Sequence, residues 1–334
     1  MEIVELTRDE RAVSADIIDR RDTRLDDRAE TAPGFFAQHG RLLGTVGAIA
    51  WLIWFSMVPS WPTPDKLFVL LLCGFVAVGA TRDGVVRFAP FIALLLVYES
   101  FRGVADDLNS RVEFSGLVTA DEVLFGGQLP TTRLQNWFYD GNAGAFEVAM
   151  YGVYMLHFVV PFALAFLIWR LRPQHYWNYV TSIVVTSFAG FVTFVAFPAA
   201  PPWLAREEGY TDGFAHLSAE AWSHLGLRSV PTLYDKLSPN PVAAVPSLHA
   251  AYATLLTMFV FMAFGRRWGI LSLVYPAAIY FSTVYLGEHY LIDEFIGSAY
   301  AVGGFFAARW IVQRARAIVK RRRRTDLPQN ASVS

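Results

Sequence analysis

Apolar residues in this chain gather into runs close to the ~20 residues that cross a bilayer as a helix, separated by charged or Gly/Pro-containing stretches. The runs predict spans at about Leu42 to Met57, Leu67 to Ala80, Val86 to Val104, Phe146 to Trp169, Trp177 to Phe197, Ser247 to Phe264, Trp268 to Leu286 and Tyr290 to Val312. The second is short. The pattern therefore predicts an all-α protein, a polytopic membrane helical bundle with about eight transmembrane helices. A length of 334 residues would otherwise be divided between about two soluble domains; with 54% hydrophobic and 17% charged residues and a mean hydropathy of +0.35, an ordinary soluble enzyme, a disordered chain, a collagen and a coiled coil are all excluded. The single cysteine, Cys73, lies inside an apolar run, so no disulfide framework or Cys-based metal site arises.

Charge adds a direction. The 28 Lys+Arg nearly balance the 29 Asp+Glu, yet basic residues collect at one set of span ends, and basic loops resist translocation. With eight spans and both termini inside, the short inner turns carry Arg82 and Arg87, Arg170 and Arg172, and Arg266 and Arg267. The outer segments, one holding Lys66 and two longer ones from Asp106 to Ala145 and Pro198 to Val245, are basic-poor. Seven spans would reverse part of this order. The expected organisation is a polar cytoplasmic arm (1–40), a transmembrane domain (41–313) and a basic cytoplasmic tail (314–334), in a multi-pass protein of the cell membrane. The first apolar run begins too far along for a cleavable leader. Lys320 and Arg321 to Arg324 would lie against anionic lipid headgroups, or simply in solvent while setting topology. Nucleic acid is not an expected partner. In the first long outer loop, Leu124, Phe125, Leu129, Leu134, Trp137 and Phe138 would form an interfacial helix. In the second, the prolines of FPAAPPWLA break the preceding helix.

Two polar clusters stand out at span ends, where such groups are costly unless used. In NPVAAVPSLHAAYATLL, Pro246 and Ser247 begin a helix and His249 lies in its first turn. A helix N-terminus offers unpaired N–H groups and partial positive charge to a phosphate oxygen; Ser247 would equally serve as an N-cap and His249 as an interfacial polar residue. In STVYLGEHYLIDEFIGSAY, His289 and Asp293 are four apart, so a helix presents both on one face and the carboxylate holds one imidazole nitrogen. With eight spans both clusters reach the outer face. Their chemistry is phosphoryl transfer: His289 attacks phosphorus, His249 protonates the leaving alkoxide, and Asp293 orients His289. No metal or other cofactor is expected.

PSLH followed by YLGEHYLID on successive helices resembles the type 2 phosphatidic acid phosphatase superfamily, whose motifs read K-x6-R-P, P-S-G-H and S-R-x5-H-x3-D. Pro246, Ser247 and His249 match the second, and Ser282, His289 and Asp293 the third. Leu248 replaces the glycine and Thr283 the arginine; the first motif is absent, since Arg172-Pro173 has Ala165 where the lysine belongs. These departures resemble the inositol phosphorylceramide synthase branch, as do Phe197 to Ala205 and Leu124 to Pro130. The resemblance covers roughly Val86 to Val312. It implies a six-helix phosphatase-like core and a phosphohistidine enzyme, and tilts the reaction toward moving an inositol phosphate or similar headgroup.

With the family's basic residues missing, another group must neutralise the phosphate. Arg102 is the first candidate, with pairing to Glu99 or Asp106 the competing role; Arg206 is the second, with surface snorkelling its alternative; Arg228 and Lys236 also face outward. His157, in mid-span, reads as a buried hydrogen-bonding residue, and Tyr285 and Tyr290 as interfacial anchors. His216 and His224 receive no role. The expected activity is a lipid phosphotransferase or phosphatase acting on a phospholipid or polyprenyl phosphate at the outer face. Its rivals are a simple lipid phosphate phosphatase, an enzyme holding a metal on His249, His289, Glu288 and Asp293, and an inactive lipid-binding or transport relative.

Overall fold

In the computed structural model of the protein, the described residues are 35–57, 64–79, 81–102, 108–224 and 240–325. Most of the 1–40 arm, Asp106 and the stretch holding Arg228 and Lys236 lie outside them. The described residues are helical apart from loops and two isolated parallel bridges. Helix α1 is Phe35–Met57, α2 is Pro64–Ala77 and α3 is Thr81–Arg102. Among the described residues, one compact unit holds 35–57 with Leu70–Val85, where Phe75 packs, fully buried, against the backbone at Gly84.

The other unit holds the described residues of 64–69 and of 86–325. After α3 come α4 (Gly116–Leu124), α5 (Pro130–Phe138), α6 (Ala145–Leu171), a 3₁₀ turn (Pro173–His175), α7 (Tyr176–Ala196), α8 (Pro202–Glu207), α9 (Leu217–His224), α10 (Leu248–Phe264), α11 (Arg266–Ser272), α12 (Val274–Leu286) and α13 (Leu291–Thr325). Among the described residues, Ala145–Leu171, Pro173–Ala196, Arg266–Leu286 and Leu291–Arg321 are long and apolar enough to cross a membrane, and Leu248–Phe264 is a shorter apolar helix.

Over the described residues each expected span coincides with helix. The seventh divides into α11 and α12 at Leu273. The eighth overshoots: α13 has 35 residues, about 52 Å of rise against a hydrocarbon layer of about 30 Å. Its basic end, through Arg324, is therefore a continuation of the helix rather than a separate tail, because nothing in ARAIVKRRRR breaks helical hydrogen bonding.

Helix α13 packs most extensively on α7 and α10. At one end of this bundle basic groups meet: the Arg172 Nε donates to the Ala263 carbonyl at 3.0 Å, and Arg316 to the Gln174 carbonyl at 3.3 Å. The opposite end is closed by the long loops. Pro198, Pro201 and Pro202 end α7 as expected, and the released backbone pairs elsewhere. The Glu113 N–H donates to Pro198 and that of Ala200 to Glu113, while Ala199 donates to Val242 and Ala244 to Ala199, so three extended segments lie side by side. Beneath them Leu117, Val118, Leu129, Phe214 and Tyr290 form a buried cluster. The expected interfacial segment separates by face: Leu129 is buried, whereas Leu124, Trp137 and Phe138 are exposed.

Two glycines permit the geometry of the closed end. Gly287, at φ +83°, turns the chain from α12 toward α13 in a left-handed conformation that costs other residues energy. Gly297 lets α13 touch the start of α10: a Cβ there would sit 2.1 Å from the Ser247 carbonyl oxygen. Gly297→Val is therefore expected to cost about 1–3 kcal/mol through overpacking, read as a lowered melting temperature in detergent. An unchanged melting temperature would show that the two helices are not held this closely.

Candidate active site

Helix α10 begins at Ser247, whose hydroxyl accepts the Ala250 N–H at 3.3 Å, the action of an N-cap. The Ser247 N–H donates to the Asp293 carbonyl at 3.2 Å. Leu248, which stands where the resembled motif has glycine, lies against α7 at Gly190, where a Cβ would meet its side chain at 3.1 Å. That contact leaves the next residue, His249, turned to the loop between α12 and α13.

The two imidazoles meet. His249 Nδ1 lies 3.1 Å from His289 Nε2, and His289 Nδ1 lies 3.2 Å from Asp293 Oδ2. Asp293 is fully buried and His289 nearly so. One relay of hydrogen bonds thus runs from a carboxylate through one ring to a second. His249 is held from its faces by Tyr154 and His157, at ring separations of 4.6 and 4.1 Å, and His157 stacks on Tyr252 in turn. His157, read from sequence as a mid-span hydrogen-bonding residue, is thus a wall of the site.

The turn between α12 and α13 is electrostatically charged. Burial pushes the His289 imidazole down, but the charge and hydrogen bond of Asp293, helped by Glu294 and Glu288, outweigh it and bring the pKa up to about 9. Glu288 points away from the relay, accepting from Ser218 and pairing with His216 at 3.2 Å, whose ring stacks on Trp203. Burial pushes the Glu288 carboxyl up, yet His216, Ser218 and the His289 charge together hold it below its ordinary value. His216, given no role from sequence, therefore braces the residue next to His289. Only the fold brings the two together, since 72 positions separate them.

Glu294 and Asp121 carried no sequence signal either. Glu294, fully buried, accepts the Thr283 hydroxyl at 2.6 Å, so the position of the motif's arginine is occupied by a threonine bonded to an acid. Asp121, also fully buried, accepts the N–H groups of Leu291 and Ile292 at the start of α13. Among the described residues the side chains close enough to share a metal ion are His289, Asp293 and Glu294, with ligand atoms within 4.8 Å of one another. That set differs from the one read off the sequence, because Glu288 faces His216 instead.

Of the remaining sequence candidates, Arg206 is exposed on α8, the short helix whose Trp203 N–H donates to the Gly287 carbonyl. Arg102 ends α3, and its side chain, like Arg228, Lys236 and the side chain of His224, lies outside what the structure describes. Ser282 turns back to its own helix, donating to Ile279.

His249 on α10 and His289 in the turn before α13 both lie in a segment that known proteins share. Residues 119–307, more than half of the chain, match the PAP2 superfamily. The chain belongs to that superfamily. It is a multi-pass helical membrane protein of the PAP2 type, and the matched segment contains the whole relay. The chain is 28% identical over 253 residues to the phosphoinositol dihydroceramide synthase of Bacteroides thetaiotaomicron, covering 71% of this chain and 80% of that protein. It is 25% identical over 234 residues to the inositol phosphorylceramide synthase catalytic subunit of Schizosaccharomyces pombe, and 24% over 245 residues to that of Saccharomyces cerevisiae. Those matches cover 66% and 70% of this chain but 54% and 58% of the fungal proteins. No solved structure gives a significant match.

The raised His289 pKa has a measurable consequence. A group that holds its proton more tightly when folded contributes stability that is complete below about 6.5 and disappears as the pH rises through about 9. An imidazole titration followed by NMR is expected to place the His289 midpoint near 9 in this PAP2 protein and nearer 6.5 in Asp293→Asn. A midpoint unmoved by that substitution would mean that Asp293 is not the partner responsible.

Proposed function

We propose that this protein is a membrane lipid phosphotransferase that moves an inositol-phosphate headgroup from a phospholipid to a ceramide-type acceptor through a phosphohistidine. The carrying observation is the unbroken Asp293–His289–His249 relay. The names of the relatives supply the substrate class, an inositol phosphate joined to a ceramide or dihydroceramide.

In the proposed reaction the Nε2 proton that the raised pKa keeps on His289 first passes to His249 Nδ1, and the freed Nε2 bonds to phosphorus while the bond from phosphorus to the donor's alkoxide oxygen breaks. His249 gives that oxygen its proton. The acceptor hydroxyl then passes its proton to His249 and bonds to phosphorus as the N–P bond breaks. Asp293 accepts the Nδ1–H throughout and balances the charge that His289 acquires. The rings are hydrogen-bonded at 3.1 Å, too close for a phosphoryl group between them. Substrate binding therefore parts them, and the N–H groups at the start of α10 receive the phosphate oxygens beside Ser247. Arg102 and Arg206 are proposed as the cations that complete this binding, Arg206 on the strength of its position beside the Gly287 turn. The chemistry as written draws on no metal, and turnover is expected to survive chelators.

The relay is proposed to face outward. Arg172, Arg266 and Arg267 lie at the other end of the bundle, as basic inner turns should. Helix α10 rises only about 26 Å over its 17 residues, less than a hydrocarbon layer of about 30 Å, which suits a site sunk slightly below the outer interface. Eight spans, an inner arm before residue 41 and the α13 extension near anionic headgroups complete the proposed topology.

Purified protein given a headgroup-labelled phosphoinositol lipid is expected to trap acid-labile phosphate on His289. His289→Ala should trap none, and His249→Ala should lower turnover by about 10²–10⁴. Trapping that persists in His289→Ala, or none in an active wild type, would rule out the mechanism. For topology, a single cysteine at Asp212 or Gly213 should react with an impermeant thiol reagent in intact cells, and one at Arg266 or Arg267 should not. The reverse labelling would turn the site inward.

A further inference from the structure

The start of α13 is held by a side chain from another helix. Asp121 Oδ2 accepts the Leu291 N–H at 2.9 Å and Asp121 Oδ1 the Ile292 N–H at 2.8 Å. These amides open α13 and have no acceptor within it. They lie between His289 and Asp293 in the chain, so whatever holds them sets the distance between the two. A carboxylate suits this position, since its two acceptor oxygens meet two donors and negative charge is favoured at a helix N-terminus. An asparagine would offer one acceptor oxygen and turn its NH₂ toward the second amide.

From its other side the same turn is held by the Ser247 N–H on the Asp293 carbonyl. The first turn of α13 is thus clamped between α4 and α10. We infer that Asp121 is a positioning residue for phosphoryl transfer, fixing the first turn of α13 so that Asp293 engages His289 Nδ1 while His289 Nε2 faces His249. By occupying the α13 amides, Asp121 also directs substrate phosphate to the start of α10. Burial brings its pKa up to about 6 against the pull of the two amides, so it is largely ionised at neutral pH. Packing of the outer cap does not hang on it alone. Gln135 bonds to Ala215 and to the Tyr285 carbonyl, and the Tyr285 hydroxyl donates to Glu147 at 2.5 Å.

This inference rests on the phosphohistidine reading, and its test separates the two. Full-length wild type, Asp121→Asn and Asp121→Ser would be compared in melting temperature, in kcat and KM for the labelled phosphoinositol lipid, and in the rate at which diethyl pyrocarbonate modifies His289, read by mass spectrometry. Expected in at least one folded variant are an unchanged KM, a kcat lower by on the order of tenfold or more, and a severalfold faster modification of His289 as Asp293 loosens its hold. Asp121→Glu, which keeps both acceptor oxygens, should recover part of the kcat. Wild-type kcat and wild-type His289 reactivity in a folded variant would overturn the inference. So would failure of both variants to fold, which would make Asp121 a stability residue. A wild type that transfers nothing would count against the phosphohistidine reading, while the modification rates would still decide whether Asp121 positions His289.

Discussion

Two helix starts meet backbone to backbone where the Ser247 N–H donates to the Asp293 carbonyl, in a contact that a side chain at Gly297 would obstruct. Helices α10 and α13 can approach this closely only because that position carries no Cβ. Their approach sets the distance between the first turn of one helix and the loop before the other. His249 belongs to the first and His289 to the second, so the 3.1 Å between their rings follows from backbone packing. A membrane bundle gains little from hydrophobic burial between helices, since lipid is as apolar as leucine, and it relies on such close packing and on hydrogen bonds.

Polar groups gathered at this junction are expensive in a partly dry setting, and the structure meets that cost with partners. Asp293 is matched by His289, Glu288 by His216 and Ser218, Glu294 by Thr283, and Asp121 by two amides. The acids outnumber the cations, which is what raises the pKa of His289. An imidazole in such a field favours its charged form. The same field opposes any incoming anion, and the basic residues of the superfamily's motifs are absent from the matching positions.

The resemblance read from short motifs and the match to the PAP2 superfamily agree, and the geometry explains how the departures are accommodated. Leu248 in place of glycine packs at Gly190 instead of crowding the histidines. Thr283 in place of arginine bonds to Glu294. Both substitutions therefore have partners on neighbouring helices, which the motifs by themselves do not name.

Hydrophobic run length and the i, i+4 spacing of His289 and Asp293 are local properties, and they were sufficient for the helices and the carboxylate–imidazole pair. A run of apolar residues forms a spanning helix because its backbone has no other way to bond in lipid, and two residues four apart share a face in any helix. What bonds across long stretches of chain was not legible. The pairing of Glu288 with His216, the ring contact of His157 with His249, the seat of Asp121 at the start of α13 and the extension of α13 past Val312 all depend on which surfaces meet or on helix continuing beyond the apolar run. Tertiary packing alone decides the partner of a buried carboxylate, because a single acid in a loop or short helix carries no period from which its direction could be read.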